Sequence, residues 1–165
     1  EIDEFMVNII QKYEDVEFKS VSQGDLDLLD EEQKEEHDKL SKESKTLLKA
    51  IKKALNEKVE DVILSKRLTD SPVCLVSGEG LSMEMEKVLK AMPQANNVKA
   101  NKILEINPNH ELFAMLQKVY ENDKKKVKEY ATLLYNQALL IEGMKLEDPV
   151  EFSNLMVSLM IDANK

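Results

Sequence analysis

Residues 124–142 read KKKVKEYATLLYNQALLIE, and this stretch carries most of the information about the fold. Its apolar residues recur in alternating steps of four and three, which is the period of one helical face. The positions on this face are Val127, Ala131, Leu134, Ala138 and Ile141. A second apolar side is formed by Leu133, Leu140 and Met144. Because two apolar faces need two partners, the stretch predicts a helix that packs within its own domain and also against something else.

The residues that follow predict a second long helix. Asp148 and Pro149 are typical of a helix start, and a one-face apolar pattern runs from there to the end of the chain. The pattern consists of Phe152, Leu155, Met156, Leu159, Met160 and Ala163. We expect this helix pair to join the same pair of a second copy in an intermolecular four-helix bundle. The alternative is that both faces belong to the core of a single chain.

Upstream of the helix pair, the pattern changes to short strands. Segments 61–65, 73–77 and 102–106 are rich in β-branched residues and are bounded by turn residues. The expected class is therefore α+β, with a small three-stranded sheet and helices that end in the helical pair. Residues 2–13 predict an amphipathic helix, and residues 16–21 predict a short strand.

An acidic stretch marks the expected domain boundary. Residues 25–43 hold nine acidic residues and three lysines, a net charge of −6. Such a stretch is typical of a solvated linker or the start of a polar helix, so we expect the domain boundary to lie within it. Asp30 with Gln33 predicts a capping box at the next helix start. Asn107 followed by Pro108 predicts another helix start.

A methionine-rich helix is expected after a turn that contains Gly78 and Gly80. It covers residues 81–92, and its apolar side consists of Leu81, Met85, Val88, Leu89 and Met92. Methionine side chains adapt to many shapes, and glycines before the helix with a polar run after it indicate a mobile element. These five residues are candidates for contact with non-native chains. An ordinary core face is the alternative, and periodicity alone favours it.

Composition argues against several classes of function. The 165 residues carry 23 basic and 32 acidic side chains, a net charge of −9, which argues against nucleic acid or an anionic membrane surface as a main partner. No apolar run reaches the roughly 18 residues of a membrane span. The one cysteine, Cys74, excludes a disulfide framework and is expected to be an inert core thiol. Because no phosphate loop, calcium loop or acid–base pair stands out, we expect no catalytic, cofactor-binding or metal site.

Five stretches resemble the heat shock protein 90 chaperones, in the order and spacing of that family. They are residues 20–28 (SVSQGDLDL), 64–74 (LSKRLTDSPVC), 103–110 (ILEINPNH), 135–143 (YNQALLIEG) and 146–149 (LEDP). The resemblance implies that residues 1–29 are the tail of the family's middle domain and that residues 30–165 are its C-terminal dimerisation domain. It also implies that the last two helices form the dimer bundle, and that Leu81, Met85, Val88 and Leu89 contact client proteins.

The resemblance also sets expectations for a longer protein, of which a chain beginning at Glu1 would be a piece. The family's ATP-binding domain, with its ATP and magnesium, and the catalytic arginine of the middle domain are expected outside this sequence, so this piece should hydrolyse nothing. The chain ends at Lys165 without the acidic Met-Glu-Glu-Val-Asp tail, so no docking of tetratricopeptide co-chaperones is expected. The bacterial HtpG type, in the cytoplasm, fits these features, and the mitochondrial matrix type is the alternative.

The expected function is a constitutive homodimerisation and client-contact module of an ATP-dependent chaperone. Its partners would be a second copy of the chain and unfolded or partly folded proteins. A monomeric acidic helical adaptor that binds one folded partner is the alternative from a different class.

Overall fold

The α+β class expected from the sequence is confirmed. A computed structural model describes residues 6–7, 9–10, 12–18, 29–92 and 98–163. The strands in these residues are β1 (Lys12–Tyr13), β2 (Val16–Glu17), β3 (Asp61–Leu64), β4 (Val73–Ser77) and β5 (Lys102–Ile106). The helices are α1 (Glu31–Glu43), α2 (Lys45–Leu55), α3 (Met83–Lys90), α4 (Glu111–Asn122), α5 (Lys126–Ile141) and α6 (Pro149–Asp162). A single 3-10 turn, Asn56–Lys58, follows α2.

The main sheet has three strands in the order β3-β5-β4, so β5 is central. β3 runs parallel to β5 and β4 runs antiparallel to it, and Ile106 pairs with Leu64 on one side and Val73 on the other. β4 and β5 have the bounds that the sequence predicted, and β3 ends one residue earlier than expected. Local β-branched composition was therefore a sufficient signal for all three strands.

The hydrophobic core lies where α2 and α5 pack on the sheet and on each other. α2 buries one apolar side, formed by Leu47, Leu48, Ile51 and Leu55, and exposes its lysines. The sheet contributes Val73, Leu104 and Ile106, which are fully buried. Each buried aliphatic side chain of this kind contributes roughly 1.5–3 kcal/mol relative to exposure. This arrangement fixes α5 in the body of the domain.

The helix starts were predicted with mixed success. The capping box at Asp30 and Gln33 is present, and the Asp148 carboxylate accepts from the Glu151 N–H as expected of an N-cap. The start predicted at Asn107 is wrong, because α4 begins at Glu111 with His110 as its N-cap. The Asn107 amide instead donates to two carbonyls of the segment that precedes β4, those of Thr69 and Ser71.

The first residues form a small unit that differs from the prediction. Of the helix predicted over 2–13, residues 6–7 and 9–10 are helical, Lys12 and Tyr13 lie in β1, and residues 2–5, 8 and 11 lie outside the described residues. β1 pairs antiparallel with β2, and Glu14 between them adopts a positive φ of 53°. The prediction is therefore wrong at residues 12–13, which pair as a strand. Of the predicted 16–21 strand, residues 16–17 form β2, Phe18 follows the strand, and residues 19–21 lie outside the described residues.

Candidate functional site

The first apolar face of α5 packs inside the chain. We expected Val127, Ala131, Leu134 and Ala138 to contact a second copy, but the structure buries them in the core of their own domain. The physical reason is that α2 and the sheet cover this side of α5. Of the five positions predicted on this face of α5, only Ile141 is exposed, at 59%. The periodicity identified the face correctly and assigned it to the wrong partner.

The second apolar side of α5 is open at its C-terminal end. Leu140 is exposed beside Ile141, whereas Leu133 is half-buried. Met144, beyond the helix, is half-buried and packs against the core. An apolar surface on α5 therefore exists, and it is concentrated in the last turn.

α6 presents apolar residues on nearly every side. Phe152, Leu155 and Leu159 are half-buried and share a side with Asp162, whose carboxylate accepts from Lys126 Nζ of α5 at 2.9 Å. That side therefore faces α5. The other side carries large exposed residues, which together we call the α6 outer face: Val150, Met156, Val157, Met160 and Ile161. A helix that is apolar all round is normally buried, so the outer face is the surface most in need of a partner.

α3 lies against the domain and is shorter than predicted. Met83 and Glu86 are buried, while Leu81, Met85, Val88 and Leu89 are half-buried. At 100° per residue, Val88 lies opposite Met83 and Glu86, Met85 lies opposite Met83, and Leu89 lies on the flank, about 60° from Glu86. Met92, beyond the end of the helix, is 52% exposed. The predicted client-contact residues are thus at least partly exposed, on α3 or next to its ends.

The start of α3 is fixed by hydrogen bonds. The Ser82 hydroxyl accepts from the Met85 N–H at 3.1 Å, and the Ser77 hydroxyl at the end of β4 accepts from the Met83 N–H at 2.9 Å. A Cβ at Gly78 would clash with the carboxylate of Glu60, the residue directly before β3. These contacts hold the start of α3 at the end of β4.

A buried carboxylate holds α3 to the sheet. Glu86 is 1% exposed and accepts hydrogen bonds from Lys102 Nζ of β5, from Lys90 Nζ and, at 2.8 Å, from the Ala100 N–H. Burial alone would raise the pKa of Glu86, but the two ammonium groups and the amide outweigh it and lower that pKa. The carboxylate therefore stays ionised and acts as an electrostatic anchor for α3.

A second polar cluster lies at the other end of the sheet. Glu105 Oε2 accepts from the Ser65 hydroxyl at 2.7 Å and from Arg67 Nε at 3.2 Å, and Arg67 Nη2 donates to the Cys74 sulfur. Burial and the Glu105 charge raise the pKa of the Cys74 thiol to about 11. Thiolate is therefore scarce near neutral pH, which agrees with the expected inert thiol.

No group of three or more His, Cys, Asp or Glu residues that could hold a metal ion occurs among the described residues. Within the same residues, none of the helices has the length and apolar content needed to span a membrane.

The comparison with known protein families is decisive. A family model described as Hsp90 protein matches residues 1–164. The chain belongs to the Hsp90 family.

Several bacterial members of the Hsp90 family resemble the chain closely. It is 51% identical over 162 residues to the chaperone protein HtpG of Bacillus subtilis, and 51% identical over 160 residues to that of Clostridium botulinum strain Langeland. It is 50% identical over 161 residues to the chaperone protein HtpG of Shouchella clausii. These matches cover 97–98% of the chain, and the chain spans 26% of the length of each relative.

Sequence reasoning missed the two buried polar clusters of this Hsp90 chain. Glu86 and Lys102 are 16 positions apart, and Glu105 and Arg67 are 38 apart, so no local pattern joins them. One signal was present, because Glu105 and Lys102 are charged residues inside an otherwise apolar strand. A charge in such a strand is rarely buried without a partner, which predicts an ion pair but does not name the partner.

Proposed function

We propose that this chain is the homodimerisation and client-contact module of an ATP-dependent Hsp90 chaperone. Residues 30–165 would form the dimerisation domain, and residues 1–29 the tail of the domain before it. ATP and magnesium would be bound by other parts of the full-length protein. By analogy with its bacterial relatives, we place that protein in the cytoplasm, with the mitochondrial matrix as the alternative.

The α6 outer face is the observation that carries the dimer proposal. Together with Leu140 and Ile141 of α5, it exposes seven large apolar side chains. Monomeric soluble proteins seldom leave contiguous apolar patches of this kind uncovered. In a symmetric dimer, the same face of a second copy would cover it, giving a four-helix bundle from two α5–α6 pairs.

Dimerisation of this kind would have a mechanical purpose. Tethering two protomers at one end keeps their other domains at high effective concentration. Closure of the full-length chaperone around a client would then be an intramolecular event. The module itself would catalyse no reaction.

The oligomeric state is the first test. Light scattering behind size exclusion should give a mass near twice 18.9 kDa, and that mass should persist on dilution. A mass of 18.9 kDa at every concentration would overturn the dimer proposal and favour the monomeric adaptor.

Client contact is proposed for the partly exposed apolar residues of α3. Met85 and Leu89 lie one turn apart along the helix, and both are half-buried. Changing both to Ser should weaken binding of an unfolded chain by roughly 30-fold, because two apolar contacts of about 1 kcal/mol each are lost. The measurement is fluorescence anisotropy with labelled, carboxymethylated α-lactalbumin, which stays unfolded.

The matched control for this prediction is the double change of Ile9 and Ile10 to Ser. Both residues are exposed, Ile9 at 82%, and both lie outside the dimerisation domain proposed above. If the control weakens binding as much as the α3 variant, exposed apolar surface in general binds the probe, and the assignment to α3 fails. The molar mass should be the same in both variants.

A further inference from the structure

α3 contacts the end of the helix that leads into the proposed dimer interface. Lys87 Nζ donates to the backbone carbonyl of Glu142 at 3.0 Å and also pairs with Glu84. Glu142 is the C-cap of α5, where carbonyl groups lack partners within the helix. A lysine at this position satisfies one such carbonyl and complements the negative end of the helix dipole. Lys87 therefore caps α5 from another element.

Residues 142–148 connect α5 to α6, and we call this segment the connection; Glu147 binds it to the rest of the domain. Glu147 pairs with Lys58 at 3.4 Å and with Lys99 at 3.9 Å. Lys99 is adjacent to Ala100, whose N–H binds the Glu86 carboxylate of α3. Burial, followed by the charges of Glu147 and Glu86, raises the pKa of Tyr135 on α5 to about 12. The charges of Glu147 and Glu86 thus both affect the ionisation of the same buried residue of α5, Tyr135.

These contacts bear on the position of α6. Among the described elements, α6 packs mainly on α5, and it starts at Pro149, directly after the connection. Its far end is joined to α5 by the Lys126–Asp162 pair. The angle between α5 and α6 therefore depends on how the connection is held, and the connection is held in part by α3.

We propose that the position of α3 and the geometry of the α5–α6 pair are coupled through the Lys87 cap on the Glu142 carbonyl. A movement of α3 breaks the cap and loosens the connection, which disorders the face that a second copy would cover. By linkage, a ligand that moves α3 changes the dimer affinity, and dimerisation changes the affinity for that ligand by the same factor. The consequence for dimer affinity rests on the proposed function, whereas the mechanical coupling does not.

The test replaces Lys87 with Met, which keeps the apolar stem and removes the donor. The amides of Gly143 and Met144 now bond to the Leu140 and Leu139 carbonyls at 3.0 and 2.9 Å. Their hydrogen exchange, measured by mass spectrometry, should accelerate roughly 3- to 10-fold, as expected for loss of one such bond. The dimer dissociation constant should rise about threefold.

Lys49→Met is the matched control. It removes the same charge from an exposed position on α2 that belongs to neither the Lys87 cap nor the Glu86 cluster. Exchange at Gly143 and Met144 should stay at the wild-type rate. Lys87→Arg, which keeps a donor, should restore slow exchange and so separates loss of the cap from poor folding.

Unchanged exchange in Lys87→Met, or equal acceleration in Lys49→Met, overturns the coupling. The exchange experiment does not require a dimer. If the wild-type chain is monomeric, the proposed function fails while the exchange rates still decide whether α3 caps α5.

Discussion

Changing Val157 and Ile161 to Glu should convert the proposed dimer into a monomer. The two residues lie one turn apart on the α6 outer face and are 52% and 55% exposed, so the changes should not disturb the fold of a single chain. In the dimer, the two copies would place four carboxylates in an apolar interface, and burying unpaired charge is strongly unfavourable. We expect the dissociation constant to rise at least 100-fold, measured by light scattering on dilution.

The control adds the same charge elsewhere. Changing Thr46 and Ser71 to Glu puts two carboxylates on exposed positions of the domain body. This variant should remain dimeric, with an unchanged melting temperature. A dimer that survives in the Val157 and Ile161 variant would show that the outer face is not the interface. Dissociation of the control would instead indicate that net charge alone separates the copies.

The second large effect concerns the buried ion pair that anchors α3. Changing Lys102 to Met should lower the free energy of unfolding by about 3 kcal/mol. The change leaves the Glu86 carboxylate buried with only Lys90 and the Ala100 N–H as partners. Chemical denaturation measures the loss directly.

A double change separates the cost of a stranded charge from the loss of packing. Glu86→Gln combined with Lys102→Met removes both charges and keeps an acceptor for the Ala100 N–H. Most of the lost stability should return, because neutral groups cost less to bury than an unpaired carboxylate. A double variant as unstable as Lys102→Met would mean that the lysine stem, and not the charge pair, stabilises the site.

The pH dependence of stability provides an independent check on the same pair. Because folding lowers the pKa of Glu86, its contribution is complete above the ordinary pKa of a glutamate, about 4.3, and is lost as the pH falls through the lower folded value. The slope of unfolding free energy against pH in this acidic range should be smaller in Glu86→Gln than in the wild type. Equal slopes would show that the pKa of Glu86 is the same in the folded and the unfolded chain.

Features that depend on near neighbours along the chain could be predicted from the sequence. Strands β4 and β5 were predicted to the residue, since β-branched composition and turn residues act locally. The capping box at Asp30 and the N-cap at Asp148 were also predicted, because a side chain there reaches a backbone N–H three residues away. The existence of two apolar faces on α5 followed from periodicity alone.

Which partner covers each apolar face follows from tertiary packing and could not be predicted from the sequence. Val127 and Ala138 obey the same helical period whether α2 or a second copy packs on them, so periodicity cannot choose between the two. Similarly, Lys87 meets the Glu142 carbonyl across 55 positions, and Lys102 meets Glu86 across 16. Such contacts form only when α3 docks on the closed sheet, because loop closure and packing, not local propensity, bring these groups together.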